Sequence, residues 1–335
     1  MAVLLTDQNA PDVAPTTEEA RQRLRGRSPG QLAWRRFRRD KTGLVSGVVV
    51  LFFFVVGLGA PLISLLYGKD PYTPYATPEN GLLTNTGFPV KPNGGISGQF
   101  WFGIEPHTGR DVFMVLIYGI RTSLLISLAV VLATTIIGTV LGITAGYLGG
   151  RSDYLISRVT DTLLSVPSTL FILAFMPVAW AGYMAAGEEV PVWVRAGSII
   201  GLLTLFGWTR NARLLRGQTF SLREREFIEA AKVTGAGTRR IIFRELLPNL
   251  WTPVLVLVTL DLPSYVTAEA ALSFLGVGIT APTPDWGVMV QNGAGLISSD
   301  ITYLAFPGFA MIIFVLAFNL LGDSVRDALD PKGNR

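Results

Sequence analysis

The chain has 335 residues, of which half are hydrophobic and 16% are charged, and its formal net charge is +4. This composition, with a positive mean hydropathy, indicates a membrane protein. The absence of cysteine excludes disulfides and thiolate sites. The single histidine, His107, excludes multi-histidine metal sites, and because no Ser/His/Asp set is expected either, no enzyme activity is predicted for this chain alone.

The N-terminal region divides into a polar tail and a cationic aromatic stretch. Residues 1–30 are rich in Pro, Thr, Glu and Arg, which predicts a disordered tail, and no cleaved signal peptide is evident. In residues 31–42, Leu32, Trp34 and Phe37 stand among five cations. This pattern indicates either a short helix at the membrane surface or a cationic flank that anchors the first span.

Six segments are apolar and long enough for the roughly 20 residues that cross a bilayer core. They cover about 43–67, 123–147, 154–180, 192–214, 250–277 and 301–321, followed by a charged tail. In the second segment Gly138, Gly142 and Gly146 recur at four-residue spacing, which predicts close helix packing. Pro167 and Pro177 interrupt the third. The fold class predicted is therefore all-α integral membrane with six transmembrane helices.

Six spans place both termini on one side of the membrane. Of the 28 Lys and Arg residues, 23 fall on that side and five on the other. The positive-inside rule then makes both termini cytoplasmic in the inner membrane and places residues 68–110 outside. The positive-inside rule accounts for the excess of Lys and Arg over Asp and Glu, so no nucleic-acid partner is predicted.

The segment 221–249, SLREREFIEAAKVTGAGTRRIIFRELLPN, is a polar and basic stretch between two spans. Ser221 and Glu224 form a capping-box pattern that predicts a helix start, and Gly235 stands where a glycine would end it. One face of this helix would consist of Phe227, Ala230, Ala231 and Thr234. These features alone leave a solvated connector and a docking element as equal alternatives.

A few polar residues lie within the apolar segments, where they are costly and need an explanation. Arg158 and Asp161, at i and i+3, are expected to form a local ion pair. Asp261 and Glu269 fall roughly on one helix face about 12 Å apart; they either line a polar pathway or bond to neighbouring helices. Alanines around Glu269 favour a position facing the bundle, whereas Asp261, beside a proline, could equally satisfy freed backbone groups. Ser273 completes this candidate set.

The motif Glu229-Ala230-Ala231-x3-Gly235, ending in Leu247-Pro248, resembles the EAA loop of ABC-importer permease subunits. Four further signatures resemble the "C"-position permease of the dipeptide/oligopeptide (peptide/nickel) branch. They are Gly109-Arg110-Asp111, the LSFLGVG of 272–278, the PxPxWG of 282–287 and the LGDxxRDxxDP of 321–331. One departure is Glu245, which stands where general EAA loops carry Ile.

The resemblance implies the type I ABC-importer permease fold, with a permease core over 111–335 and a coupling helix at Ser221–Thr234 in a groove of an ATPase subunit. The ATPase-coupling residues would be Phe227, Glu229, Ala230, Ala231, Gly235, Leu247 and Pro248. Expected partners are a second homologous permease, two cytoplasmic ATPases and an external solute-binding protein, which could dock on residues 68–110 unless these act as a lid.

No P-loop motif occurs, so ATP and Mg²⁺ are expected in the ATPases, with no cofactor in this chain. The resemblance implies import of di- or oligopeptides. The same role for an oligosaccharide or nickel is the alternative, and a stand-alone channel or secondary carrier is a weaker one.

Overall fold

The computed structural model describes residues 29–185 and 187–329, which form helices joined by loops. No β-strand occurs in this part of the chain, so the all-α prediction is confirmed. A π-helical segment, Ile241–Leu246, lies between two of the shorter helices. The α-helices are α1 Pro29–Phe37, α2 Lys41–Leu58, α3 Ala60–Tyr67, α4 Val112–Leu148, α5 Gly150–Ser165, α6 Ser168–Ala179, α7 Ala181–Ala185, α8 Val192–Arg223, α9 Glu226–Val233, α10 Thr238–Arg240, α11 Leu247–Asn249, α12 Trp251–Phe274, α13 Trp286–Gly295 and α14 Thr302–Leu329.

Five helices are long and apolar enough to cross a membrane, namely α2, α4, α8, α12 and α14. A sixth span is present if α5 and the segment Ser168–Tyr183, which meet at 81°, count as one. The bend falls at Val166, whose backbone is extended, just before Pro167. A residue before proline is disfavoured in the helical region, so the predicted interruption at Pro167 is confirmed. Pro177, in contrast, lies inside α6 without ending it.

Several helices extend beyond the limits predicted from hydropathy. With 37 residues α4 is about 55 Å long, more than the roughly 30 Å of a bilayer core. It begins eleven residues before the predicted span because the Asp111 carboxylate accepts a hydrogen bond from the Met114 N–H at 3.1 Å. The predicted first span is divided at Gly59 into α2 and α3. Most of the predicted charged tail is helical, since α14 continues to Leu329.

The N-terminal cationic stretch is helical as far as Phe37, and this helix begins at Pro29, two residues inside the predicted tail. The rest of that tail, residues 1–28, lies outside the described residues. Trp34 stacks on Phe37 with ring centroids 5.9 Å apart, and the Arg38 guanidinium lies 5.6 Å from the Trp34 ring. An exposed aromatic and cationic face of this kind suits an interfacial helix, whose placement at the membrane surface stays a prediction.

The glycines at four-residue spacing in α4 form its contact with α8, as predicted. A Cβ atom on Gly138 would lie 2.6 Å from the Asn211 Cβ, and one on Gly146 would lie 2.6 Å from the Thr219 Cβ. The same α8 face meets the glycines in ascending order, so the two helices run parallel. Any side chain at these positions would force the helices apart.

Residues 68–110, called the insert below, connect α3 to α4 at one end of the bundle, the insert end. The opposite end, called the loop end, carries residues 221–249. The insert is irregular, as predicted, and it has a small apolar core of its own. That core consists of Ala76, Leu83, Phe100 and Ile104.

Candidate functional site

The helix of the 221–249 loop is shorter than predicted and starts later. It is α9, Glu226–Val233, and the residue before it, Arg225, has an extended backbone without a side-chain cap. The capping-box prediction for Ser221 and Glu224 is wrong, because Ser221 lies in the last turn of α8.

The reason is tertiary contact between α8 and the loop end of α4. Thr219 is fully buried against Gly146, and the Arg223 guanidinium donates to the Gly146 carbonyl at 3.3 Å. These contacts hold α8 helical beyond the point at which a serine could begin a new helix. Only Glu224 and Arg225 separate α8 from α9.

One face of α9 is anchored to the bundle. Ile228 is fully buried, and Ala231 packs partly buried beside it. Both contact an apolar cluster at the loop end that joins α4, α8, the π-helical segment and α12. The cluster consists of Ile143, Leu215, Ile241, Leu246, Leu250, Val254 and Leu257, together with Ile228. Ala231 therefore lies against its own chain, although the sequence pattern placed it on the same face as Phe227 and Ala230.

The opposite face of α9 presents apolar side chains to the surroundings. Phe227 is 38% exposed and Val233 is 87% exposed, and Ala230 is exposed between them. We call Phe227, Ala230 and Val233 the outer face of α9. Sequence analysis missed Val233, although its spacing of three residues from Ala230 was a usable signal. Glu229 is also exposed.

Gly235 ends α9 with a left-handed backbone, φ +79°, as the sequence predicted. Its N–H donates to the Lys232 carbonyl at 2.9 Å, and the Ala236 N–H donates to the Ala231 carbonyl at 2.9 Å. A Cβ atom at Gly235 would meet nothing within 4 Å. Glycine is therefore favoured here by backbone angle alone, and space imposes no further limit.

The second half of the loop returns to the bundle through the π-helical segment. Ile241 and Leu246 are buried in the loop-end cluster, Leu247 packs partly buried against it, and Pro248 is exposed. Pro248 has no N–H to donate and its ring crowds the carbonyl four residues earlier, which gives a physical reason for irregular hydrogen bonding just before it. The half-buried Glu245 accepts a bond from the Asn249 side chain through its backbone carbonyl at 2.6 Å.

Two intramembrane candidates bond across helices near the loop end. Asp161 on α5 pairs with Arg213 on α8 at 2.5 Å, with both side chains more than half exposed. The predicted Arg158–Asp161 pair is therefore wrong; Arg158 lies over the Tyr154 ring, and the partner of Asp161 comes from the adjacent helix. Asp261 on α12 is buried and accepts from the Asn211 side chain of α8 at 2.9 Å.

The other two candidates, Glu269 and Ser273, belong to a buried polar cluster. The Ser273 hydroxyl donates to the Glu269 carboxyl at 3.0 Å and accepts from the Ile279 N–H at 3.0 Å. Asp285, which begins α13, accepts from the Ser123 hydroxyl of α4 at 3.0 Å and from the Val288 N–H at 3.1 Å. We call Ser123, Glu269, Ser273 and Asp285 the carboxyl cluster.

The carboxyl cluster explains two of the sequence signatures in structural terms. Ser273 lies in the LSFLGVG segment and Asp285 in the PxPxWG segment, so the cluster ties these two motifs together. A Cβ atom on Gly287 would lie 2.1 Å from the Ala270 carbonyl oxygen, so α13 approaches α12 at backbone distance. Sequence reasoning missed Ser123 and Asp285, whose contact joins residues 162 positions apart.

The Gly109-Arg110-Asp111 motif locks the insert onto the bundle. Arg110 donates two hydrogen bonds to Glu105, through Nε and through Nη2, and donates to the Pro282 carbonyl at 2.7 Å through Nη1. Tyr303 of α14 also donates to Glu105. Burial by itself would lower the pKa of Arg110, but the hydrogen bonds and charge of Glu105 outweigh it, and the net shift of that pKa is upward.

The neighbouring Asp111 has a second partner in addition to its capping bond. Its carboxylate pairs with Lys69 at 2.7 Å, which fixes the start of the insert to the start of α4. The two ends of the insert are thus held by separate buried or half-buried ion pairs. Within the described residues, no group of three or more His, Asp or Glu residues could hold a metal ion.

Two family models match separate parts of the chain. Residues 138–335 match the model of the binding-protein-dependent transport system inner membrane component. Residues 28–85 match the N-terminal TM domain of oligopeptide transport permease C.

Individual proteins are similar over most of the chain. The dipeptide transport system permease protein DppC of Bacillus subtilis (strain 168) is 36% identical over 91% of this chain and 86% of its own length. The glutathione transport system permease protein GsiD of Escherichia coli O6:K15:H31 (strain 536 / UPEC) is 34% identical over 91% of each chain.

Among solved structures, the inward-facing MetNI methionine ABC transporter aligns with a TM-score of 0.50 over 64% of this chain and 96% of the matched chain. The identity is 19%, so this likeness concerns the fold alone. That fold is the type I ABC-importer permease fold. The chain therefore belongs to the family of binding-protein-dependent transport system inner membrane components, and it is a multi-pass permease subunit of an ABC importer.

Proposed function

We propose that this permease imports di- or oligopeptides and that α9 transmits ATP-driven movement to the membrane helices. The observation that carries the proposal is the two-sided structure of α9. Its inner face is fixed to α4, α8 and α12 through Ile228, and its outer face presents Phe227 and Val233. Exposed apolar side chains of this kind are typical of a surface that a partner covers.

The partner at this surface is a cytoplasmic ATPase subunit, whose groove would receive the outer face of α9 as a helix in a groove. Phe227, Ala230 and Val233 make the apolar contact, and Glu229 accepts hydrogen bonds at its edge. Ala231 is small enough for α9 to lie close to the bundle. Gly235, Leu247 and Pro248 return the chain to the membrane, so they fix the position of α9 without contacting the partner.

The complete importer would contain this chain, a second homologous permease, two ATPases and an external solute-binding protein. ATP and Mg²⁺ are bound by the ATPases, and this chain binds no nucleotide or cofactor. The distribution of Lys and Arg supports cytoplasmic termini and a cytoplasmic α9. The insert then lies outside, where the ion pairs of Arg110 and Lys69 hold it as a firm surface. A surface held in this way favours docking of the binding protein over closure as a lid.

The peptide substrate is proposed from the relatives, which include a dipeptide permease and a glutathione permease. Selection among substrates would be tested with the importer reconstituted in proteoliposomes. We expect unlabelled dipeptides to compete with the uptake of a labelled dipeptide, whereas Ni²⁺ and an oligosaccharide do not. Competition by Ni²⁺ or the oligosaccharide alone would replace the peptide assignment and leave the permease role intact.

The coupling role is tested at Val233, which can be changed without disturbing the bundle because it is 87% exposed. We expect Val233→Asp to place a charge in the ATPase groove and to reduce peptide uptake at least about ten-fold, equivalent to about 1.4 kcal/mol. The thermal stability of the purified chain should stay at the wild-type value. Val233→Ile, which keeps the outer face apolar, is the matched control and should retain uptake. Wild-type uptake in Val233→Asp would refute the role of the outer face.

A further inference from the structure

Two fully buried carboxyl groups meet inside the bundle near its insert end. Glu269 of α12 and Asp285 at the start of α13 are both without exposed surface. Gly287, two residues after Asp285, lies against Ala270 and Ser273, which follow Glu269 on α12, so the two carboxyl groups lie side by side. In the described part of the chain, neither forms an ion pair with Lys or Arg. Arg110 and Arg195 bond to the carbonyls of Pro282 and Gly278. Arg121, which precedes Ser123 by two residues, lies 5.9 Å from the Tyr118 ring.

The two carboxyl groups receive unequal numbers of hydrogen bonds. Asp285 accepts from the Ser123 hydroxyl and the Val288 N–H, and it lies at the N-terminus of the ten-residue helix α13. Both effects stabilise a negative charge. Glu269 accepts one bond on Oε1 from Ser273, and its Oε2 has no partner among the described N–H and O–H groups.

Two neighbouring carboxylates in this place would both be acceptors, and each would repel the other in a medium of low dielectric constant. One proton between them removes the repulsion and turns the contact into a strong, charge-assisted hydrogen bond. Asp285 already has the donors that suit the anion. The proton therefore belongs on Glu269. Its Oε2 accepts no hydrogen bond from any described residue, and once protonated it can donate one.

We propose that Glu269 is a protonated carboxylic acid that donates a hydrogen bond to the Asp285 carboxylate. Glu269 is then a positioning residue. Its O–H holds the start of α13 against α12, and the Ser123 hydroxyl holds it against α4. This explains why an acidic pair can occupy a buried site without a cation. It also removes the need for Glu269 to line a pathway, because its role is fulfilled within the bundle of one subunit.

Infrared spectroscopy tests the proposal on the full-length purified chain at neutral pH. We expect the wild-type protein to show the carbonyl stretch of a protonated carboxylic acid, and we expect Glu269→Gln to remove it. Glu229→Gln is the matched control: it replaces an exposed carboxylate of α9 by an amide and should leave the protonated-acid band unchanged. A wild-type spectrum without a protonated-acid band would overturn the proposal before any variant is made.

Asp285→Asn provides a second test that does not depend on the folding of the Glu269 variant. The amide carbonyl is a weaker acceptor than a carboxylate, so the acid band should remain and move to higher frequency. A band that stays in place would show that the acid does not donate to residue 285 and would overturn the proposal.

Thermal unfolding then separates donation from simple packing. Glu269→Gln supplies an N–H donor of the same shape and should keep the wild-type unfolding temperature, whereas Glu269→Met fills the space without a donor and should lower it. Equal unfolding temperatures for the Gln and Met variants would contradict the donor role of Glu269.

Discussion

At the insert end of the bundle the Arg110 side chain is 7% exposed and donates three hydrogen bonds to two partners, whereas at the loop end the Arg213 side chain is 56% exposed and pairs with Asp161. The same contrast holds for whole segments. The insert is fixed by buried ions and by the tyrosine of α14, while α9 is fixed by the apolar contacts of Ile228 and Ala231. Buried ionic contacts are strongly directional, and apolar contacts allow small displacements. The insert end is thus held in a fixed geometry, and the loop end holds α9 through contacts that permit the displacement required by the proposed coupling role.

The largest effect should follow from breaking the buried ion pair at the insert end. Arg110→Met leaves the Glu105 carboxylate buried without its cation, which costs about 3–5 kcal/mol of folding free energy. We expect a marked fall in the unfolding temperature of the purified chain. Lys91→Met, which removes an exposed cation from the same segment, is the control and should unfold at the wild-type temperature. Similar unfolding temperatures for the two variants would contradict the anchoring role of Arg110.

An intermediate effect is expected from the apolar anchor of α9. Ile228→Ala removes a fully buried side chain, and large-to-small changes of this kind cost about 2–5 kcal/mol. Because α9 is held mainly through this residue, its amide hydrogens should exchange much faster with solvent. Hydrogen–deuterium exchange measures this directly, with Val233→Ala as the control on the exposed side. Unchanged protection of α9 in Ile228→Ala would show that the chain segments on either side of α9 hold the helix in place, and would contradict the anchoring role of Ile228.

The smallest effect belongs to the exposed pair at the loop end. Asp161→Asn should change the free energy of unfolding by no more than about 1 kcal/mol, because solvent screens both charges. A double-mutant cycle on unfolding free energies gives the partner: Asp161→Asn should couple to Arg213→Gln and not to Arg158→Gln. Coupling to Arg158 would restore the local pair that the sequence suggested.

The features of the fold that could be predicted from the sequence are those whose residue pattern is compatible with only one local structure. Gly138, Gly142 and Gly146 could only mark a helix surface in close contact, and Gly235 could only mark a chain reversal after a short helix. The apolar segments likewise located the spans, because a membrane allows few alternatives to a helix. These features needed no knowledge of which helices are neighbours.

The rest depended on neighbours that the sequence does not identify. The capping-box pattern at Ser221 is compatible with a helix start when only the local sequence is considered. The helix α8 nevertheless continues past Ser221 because Thr219 and Arg223 contact α4. The Asp161 partner came from α8 since the bend at Pro167 leaves α5 beside that helix. Asp285 was hidden within a proline-rich motif, and its meaning appears only when Ser123 and Glu269 are brought beside it.

The parallel contact between α4 and α8 has a mechanical consequence. Glycine backbone lies directly against α8 over about two turns, so the two helices pack at backbone distance and are expected to move as a pair. With 32 residues, α8 is about 48 Å long, and only two residues separate its end from α9. Under the proposed coupling role, a displacement of α9 should therefore tilt α8 and α4 together, and the displacement expected at the far end of the bundle scales with the length of α8.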